Sequence, residues 1–189
     1  MNDNQLRIIG GRWRGRRISF PDSAGLRPTG DRIRETLFNW LQNDIQDAHC
    51  LDLFSGSGAL GLEALSRGAA SVTFVDQNSD VIKYLRSTAE ILSAKNINLI
   101  HEAAPSQSLT TKLANHQFSI VFIDPPFHQG LIEKCCAWLI ESNLLSKNAL
   151  IYIEAERELS PLSIPANWEI MKSKFTGKVG YHLVTLSAE

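Results

Sequence analysis

Apolar and polar positions follow three successive rhythms along this chain. The first is a glycine-punctuated alternation, QLRIIGG then WRGRRISF, followed by the turn-rich run PDSAGLRPTG. Period-two alternation around tight turns predicts a small β-hairpin and then a loop. From Asp31 the period lengthens: Ile33, Leu37, Trp40 and Leu41 stand at i, i+4, i+7 and i+8, the stripe of an amphipathic helix, with Arg32 and Arg34 near its start and off that stripe. From His49 short apolar runs alternate with helical segments: CLDLF, ALGLEALSRG, SVTFVD, SDVIKYLRSTAEILSA, INLIHE, a helix between Pro105 and His116, FSIVFID, GLIEKCCAWLIES and ALIYIEA. Such β-α repeats predict a parallel, doubly wound α/β sheet, because parallel neighbours need right-handed crossovers and a helix supplies them. The tail changes again. WEIMKSKF, the turn TGKVG and YHLVTLS read as two strands with a tight connection, an antiparallel C-terminal edge on a mostly parallel seven-stranded sheet. The expected organisation is an arginine-rich arm over residues 1–30 and one α/β domain over 31–189.

Composition supports one principal globular domain, with 43% hydrophobic and 21% charged residues in 189. No apolar run approaches the roughly 18 residues that span a bilayer, and MNDNQLRIIGGRWRGRR lacks the apolar middle of a secretory signal, so a cytoplasmic protein is expected. Cys50, Cys135 and Cys136 form an odd set without CxxC spacing and read as small buried apolar residues. The five histidines are scattered singly, and no metal is assigned.

Net charge is −1, but it is unevenly spread. The first 34 residues carry eight arginines, no lysine and three acids, which is +5 against −6 for the remainder. Arginine pairs with phosphate bidentately and stacks on bases, so this arm suits nucleic acid. A solvated tail accounts equally well for the charge by itself.

Two motifs carry chemistry. In LDLFSGSGALG, residues 51–61, a buried strand ends in a glycine turn that opens a helix, and Gly56, Gly58 and Gly61 fit GxGxxG. Such a turn brings backbone and helix N-terminus close to a ligand, and Asp76 closes the next strand, where a carboxylate can accept ribose hydroxyls. Nicotinamide and flavin dinucleotide sites share this pair of features. FIDPPF, residues 122–127, falls where the fourth parallel strand delivers its C-terminal end. The two prolines fix φ and remove two donors, so Asp124 and the Pro125 carbonyl stand as stiffly presented acceptors with few local donors, and Phe127 offers a face for a base.

The combination resembles the amino-methyltransferases that carry [D/N/S]-P-P-[F/Y]. RIIGGRWRGRRISFP, LRPTGDRIRETLFNWL and LDLFSGSGALGLEALSRGA narrow the resemblance to the bacterial RsmD-type 16S ribosomal RNA (guanine-N2) methyltransferases. The similarity covers most of the chain and is dense from Arg7 to Asp76 and from Ile123 to Phe127. It implies a Rossmann-like S-adenosylmethionine-dependent methyltransferase, a monomer that acts on guanine 966 of 16S RNA in an assembling or assembled small subunit. By the same resemblance the cofactor belongs on Asp52, Ser55, Gly56, Gly58 and Asp76, and the target amine at Asp124, Pro125, Pro126 and Phe127. Arg27, Pro28, Thr29 and Arg32 match the segment laid over cofactor and RNA. Either Glu102 or Ala103, after the third strand, reads adenine. The arm's Arg12, Arg14, Arg16 and Arg17, with Arg27 and Arg32, would grip phosphates.

An exocyclic amine is a poor nucleophile because its lone pair is conjugated into the ring. Two acceptors on its protons would pyramidalise it, a task that fits Asp124 and the Pro125 carbonyl. A carboxylate also suits guanine, whose N1–H and N2–H are adjacent donors. A nicotinamide-dependent oxidoreductase shares the glycine turn but leaves DPPF and the arginine arm without a role. A catalytically inactive RNA-binding assembly factor would have no need of Gly56, Gly58, Asp76 and Asp124 together.

Overall fold

The computed structural model describes residues 4–20 and 29–187. After a two-stranded hairpin, β1 (Gln5–Arg7) and β2 (Arg17–Ser19), come α1 (Asp31–Trp40), β3 (His49–Asp52), α2 (Ala59–Ser66), β4 (Ser71–Asp76), α3 (Ser79–Ile91) and β5 (Ile97–His101). They are followed by α4 (Gln107–Leu113), β6 (Phe118–Ile123), α5 (Leu131–Glu141), β7 (Leu145–Glu156), β8 (Trp168–Thr176) and β9 (Val179–Leu186). Strands β3 to β9 form one seven-stranded sheet in the order β5-β4-β3-β6-β7-β9-β8, parallel through β7. This is the Rossmann-like arrangement. Helices α1, α2 and α3 cover one face and α4 and α5 the other, which is why the central strands read as continuous apolar runs. Strand order reverses between β3 and β6, so a crevice opens outside their C-terminal ends. No helix among the described residues is long and apolar enough to cross a membrane.

The antiparallel edge forms with β9 inside and β8 outermost, β9 pairing antiparallel with both β7 and β8. Side-chain character decides which strand lies inside. Tyr181, His182, Leu183 and Val184 of β9 are buried, whereas β8 is exposed beyond Trp168 and carries Lys172 and Lys174, the charge that keeps an edge strand from recruiting another chain.

The hairpin is fastened to the domain. Leu6, Ile8, Trp13, Ile18 and Phe20 join the core formed with α1 and α2. Glu63 of α2, at 0% exposure, accepts the Ile9 and Gly10 N–H groups at 2.9 and 2.7 Å and pairs with Arg67 at 2.7 Å and Arg34 at 3.3 Å. Arg34 departs from the sequence expectation. It is 1% exposed, on the buried stripe with Ile33, Leu37 and Phe38, because its guanidinium also meets Asp31 at 2.6 Å and the carbonyls of Thr29 and Arg7 at 3.1 and 2.8 Å. A buried guanidinium is tolerable when its donors are paired in this way.

Candidate active site

Asp52 closes β3, and residues 53–58 turn the chain into α2. Gly58, the residue before that helix, has φ of 74°, in the left-handed region that glycine enters without strain, and a Cβ there would stand 2.6 Å from Leu85. Gly61 serves packing: its Cβ would lie 2.2 Å from the Phe74 ring, so only glycine lets α2 lie this close to β4. Ser55 is buried and engaged, its hydroxyl donating to the Asp52 and Val75 carbonyls at 3.1 and 3.0 Å. It ties the ends of β3 and β4 together. The Asp52 carboxyl accepts the Gly61 N–H at 3.1 Å; burial pushes it up to about 7 against that bond, with Asp124 and Asp76 adding to the rise.

Asp76, at the end of β4, accepts the Gly56 N–H at 3.0 Å and the Asn78 N–H at 2.8 Å. It therefore sets the turn's shape while presenting a half-exposed carboxylate to the crevice. Glu102 follows β5, its carboxylate held by Ser108 at 2.6 Å and Lys112 at 2.9 Å and lowered to about 2 by these partners, Ser108 foremost. The Ala103 N–H turns toward the same carboxylate at 3.3 Å. Both residues proposed to read adenine thus share one rim.

Asp124 follows β6 directly. The sequence reading leaves it with few local donors, and the structure supplies one from a distance: the Thr29 hydroxyl donates to Asp124 Oδ2 at 3.0 Å. Burial pushes the Asp124 carboxyl up to about 6, with Thr29 opposing. Pro125 is buried, Pro126 exposed, and half-buried Phe127 meets His128 edge-on at 6.3 Å between centroids. A cavity of about 390 Å³ lies against Pro125 and Pro126, closed by Leu131, Leu162 and Glu156.

Two acids, Glu154 and Glu156, escaped the sequence reading. Ile123 pairs with Ile153, so Glu154 follows on the neighbouring strand at the level of Asp124. Buried Glu154 accepts the Tyr152 hydroxyl at 2.8 Å, and its carboxyl is pushed up to about 8 by burial first and then by the charge of Asp124. Glu156, also buried, accepts the His128 N–H and so pins the far end of the DPPF loop. The available signal was a pair of acids at period two inside the apolar run ALIYIEAE.

The proposed phosphate-gripping arginines are not gathered at one place. Arg12, Arg14, Arg16 and Arg17 are exposed on the hairpin, with the Arg12 guanidinium 4.2 Å from the Trp13 ring centroid. The hairpin's turn is held by Ser66, which accepts the Trp13 N–H at 3.0 Å, and by a 3.4 Å contact from Arg16 to the Ile91 carbonyl. These are the C-terminal ends of α2 and α3, at the sheet edge opposite Asp124. Arg32 is exposed at the start of α1, close to Thr29. Arg27 and Pro28 lie outside the described residues.

The family described as Conserved hypothetical protein 95 matches residues 6–185. Ribosomal RNA small subunit methyltransferase D of Escherichia coli strain K12 is 48% identical over 185 residues, which is 98% of this chain and 92% of the relative. The chain belongs to the RsmD family. A second member, Ribosomal RNA small subunit methyltransferase D of Haemophilus influenzae, is 45% identical over 181 residues, 95% of this chain and 93% of its own length. Among solved structures, yhhF of Escherichia coli superposes with a TM-score of 0.88 at 44% identity, covering 98% of this chain and 99% of that one. The resemblance read from the arginine arm, the LRPTGDRIRETLFNWL segment and DPPF is thereby borne out, and this RsmD-family chain has the methyltransferase fold.

Proposed function

We propose that this RsmD-family chain is a ribosomal RNA methyltransferase that moves a methyl group from S-adenosylmethionine to the exocyclic N2 of a guanine in 16S ribosomal RNA, at position 966. Its substrate is an assembling or assembled small subunit. The observation that carries the reading is the placement of Asp124, a carboxylate at the C-terminal end of β6, beside a glycine turn whose mouth is closed by Asp76.

The crevice fits the cofactor. The turn's glycines keep side chains out of its mouth, Gly56 having little around its Cβ position, and Asp76 offers a carboxylate to ribose hydroxyls. Asp52, Ser55, Gly56, Gly58 and Asp76 would hold the nucleoside and methionine parts, and Glu102 or Ala103 the adenine. S-adenosylmethionine supplies the electrophilic methyl group. The chain's own residues prepare the amine. Asp124, with its carboxyl at about 6, is ionised at neutral pH and accepts N1–H and N2–H together, while the Pro125 carbonyl accepts the second N2 proton. The Pro125 carbonyl, taking its proton out of the base plane that Asp124 fixes, draws the nitrogen toward a pyramidal, nucleophilic geometry, and Phe127 stacks on the base. The proton shed by the methylated nitrogen passes to a carboxylate oxygen of Asp124. Arg12, Arg14, Arg16, Arg17, Arg27 and Arg32 hold phosphates of the surrounding RNA.

The test is methyl transfer from labelled S-adenosylmethionine to small subunits from cells lacking this protein, followed by nucleoside analysis. Label in N2-methylguanosine is the expected result; label in another nucleoside, or none, rejects the assignment. Calorimetric titration should show binding of S-adenosylmethionine and none of NAD.

A further inference from the structure

The arginine-bearing turn of the hairpin lies at the sheet edge away from Asp124, while other cations stand at the reacting edge. Strand β8 runs along the outside of the sheet and ends at Thr176, opposite Val179, which in turn pairs with Glu156 at the end of β7. The β8–β9 turn is therefore on the same edge as the DPPF loop, three strand spacings from β6, or roughly 14 Å. Residues 170–182 contain Lys172, Lys174 and Lys178 and no Asp or Glu, and all three lysines are exposed. Phe175 is 42% exposed. The Arg157 guanidinium lies 5.3 Å from its ring centroid and donates to the Gly177 carbonyl at 3.4 Å, and His182 meets the ring edge-on. Of the neighbouring acids, Glu156 is buried and bonded to His128, Glu158 is exposed beside Arg157, and Glu169 is exposed at the far end of β8.

Lysines on an edge strand guard against pairing with a second chain. That role explains Lys172 and Lys174 but not an exposed phenylalanine with a guanidinium laid against it, which is apolar surface a guarded edge would avoid. Arg157 and Lys178 for phosphates beside the Phe175 ring for a base, with Lys172 and Lys174 on the other face of the same open edge strand, suit a single nucleic-acid strand that wraps this edge. On the strength of that charge complementarity, and building on the RNA methyltransferase reading above, we propose that the β8–β9 turn is a second RNA-contact surface. Lys172, Lys174, Lys178 and Arg157 hold backbone phosphates, and Phe175 stacks an unpaired base flanking the target. The RNA then leaves the reacting edge along β8, across the sheet from the hairpin.

Two variants test this with a small-subunit RNA fragment, its binding measured from low to moderate salt alongside S-adenosylmethionine titration and thermal melting. Lys172→Ala/Lys174→Ala/Lys178→Ala should lower the log–log salt slope by up to about 2, at about 0.7 per phosphate contact on single strands. Phe175→Ala should weaken binding roughly tenfold at an unchanged slope, as loss of a stacked base does. Cofactor affinity and melting temperature should match the parent's. If the parent binds and methylates RNA while both variants keep its slope and affinity, the surface is no RNA contact. A triple variant that keeps the slope but dimerises on sedimentation would overturn the proposal too, leaving the lysines as edge guards. Absence of methyl transfer by the parent, with the slope change present, would instead strike the enzyme assignment.

Discussion

Thr29 and Asp124 meet across 95 positions of sequence, the threonine hydroxyl donating to Oδ2 of the carboxylate at 3.0 Å. The threonine is itself fixed, since its carbonyl accepts from Arg34 Nε at 3.1 Å, and so Asp124 is oriented from the start of α1. Thr29→Ala removes a donor that favours the ionised form, moving the Asp124 carboxyl above its present value of about 6. The acid limb of the pH–rate profile should then shift to higher pH, and kcat at neutral pH should fall about tenfold, the lower end for a hydrogen bond to a charged group. Thr29→Ser should recover most of the loss. Asp124→Ala should cost about 10²–10³ in methyl transfer with cofactor affinity intact. An acid limb unmoved in Thr29→Ala would show that the contact has no part in the reaction.

Asp76 shapes the glycine turn and, in the function proposed above, also holds the ribose, and its removal should show both. Asp76→Ala takes a charged acceptor from the ribose and releases the Gly56 and Asn78 N–H groups, so affinity for S-adenosylmethionine should drop more than tenfold. Asp76→Asn keeps one acceptor oxygen and should fall between alanine and the parent. Calorimetric titration reads the difference; parental affinity in the alanine variant would place the cofactor elsewhere.

Glu154 makes stability depend on pH in an unusual direction. Its carboxyl is raised from 4.5 to about 8 by burial and by Asp124, so the folded state favours the protonated form. The resulting stability is complete below the ordinary carboxylate range and is lost as pH climbs through about 8. Glu154→Gln fixes the neutral form. Its melting temperature should equal the parent's near pH 5 and exceed it near pH 9 by a few degrees, the scale of about 1–2 kcal/mol in a chain of this size. A difference that did not change with pH would mean that Glu154 is ionised throughout.

Glu63→Ala leaves the buried Arg34 with the exposed Asp31 as its one remaining countercharge and the Ile9 and Gly10 N–H groups short of acceptors. Breaking a buried pair from one side costs about 3–5 kcal/mol, so melting should fall by roughly 10 °C. Trypsin should also cut sooner at the hairpin's arginines. Glu63→Gln, which keeps the shape and one of the two acceptor oxygens, should lose less. A parent-like melting temperature in Glu63→Ala would show the hairpin to be held by its apolar side chains and Ser66 without Glu63.

The β-α repeats, the glycine turn and DPPF were legible because each is local: a period, a turn residue or a rigid dipeptide carries its meaning within a few positions. Arg34 was not. A helical stripe is counted in apolar residues, and the guanidinium became a buried residue only when Glu63, 29 positions on in the apolar helix ALGLEALS, came to face it. The Thr29 contact with Asp124 and the nearness of Glu154 are likewise products of strand order, which places β7 beside β6. The hairpin itself was readable from alternation, but its docking site was fixed by Glu63 and Ser66, and nothing in the arginine pattern pointed to them.

The hairpin is made first and anchored late. Its holding partners, Glu63 and Ser66, stand 53 to 54 positions downstream, and a two-stranded hairpin alone is marginal in water. While the chain is being synthesised, the early arginines therefore ride on an unfixed segment until α2 has formed. That helix begins as the glycine turn closes at Gly58 and ends at Ser66, which receives the hairpin. One short helix thus serves two ends of the domain: the glycine turn opens it and the hairpin docks on its last residue, so the arginine surface is held in place only where that turn has closed.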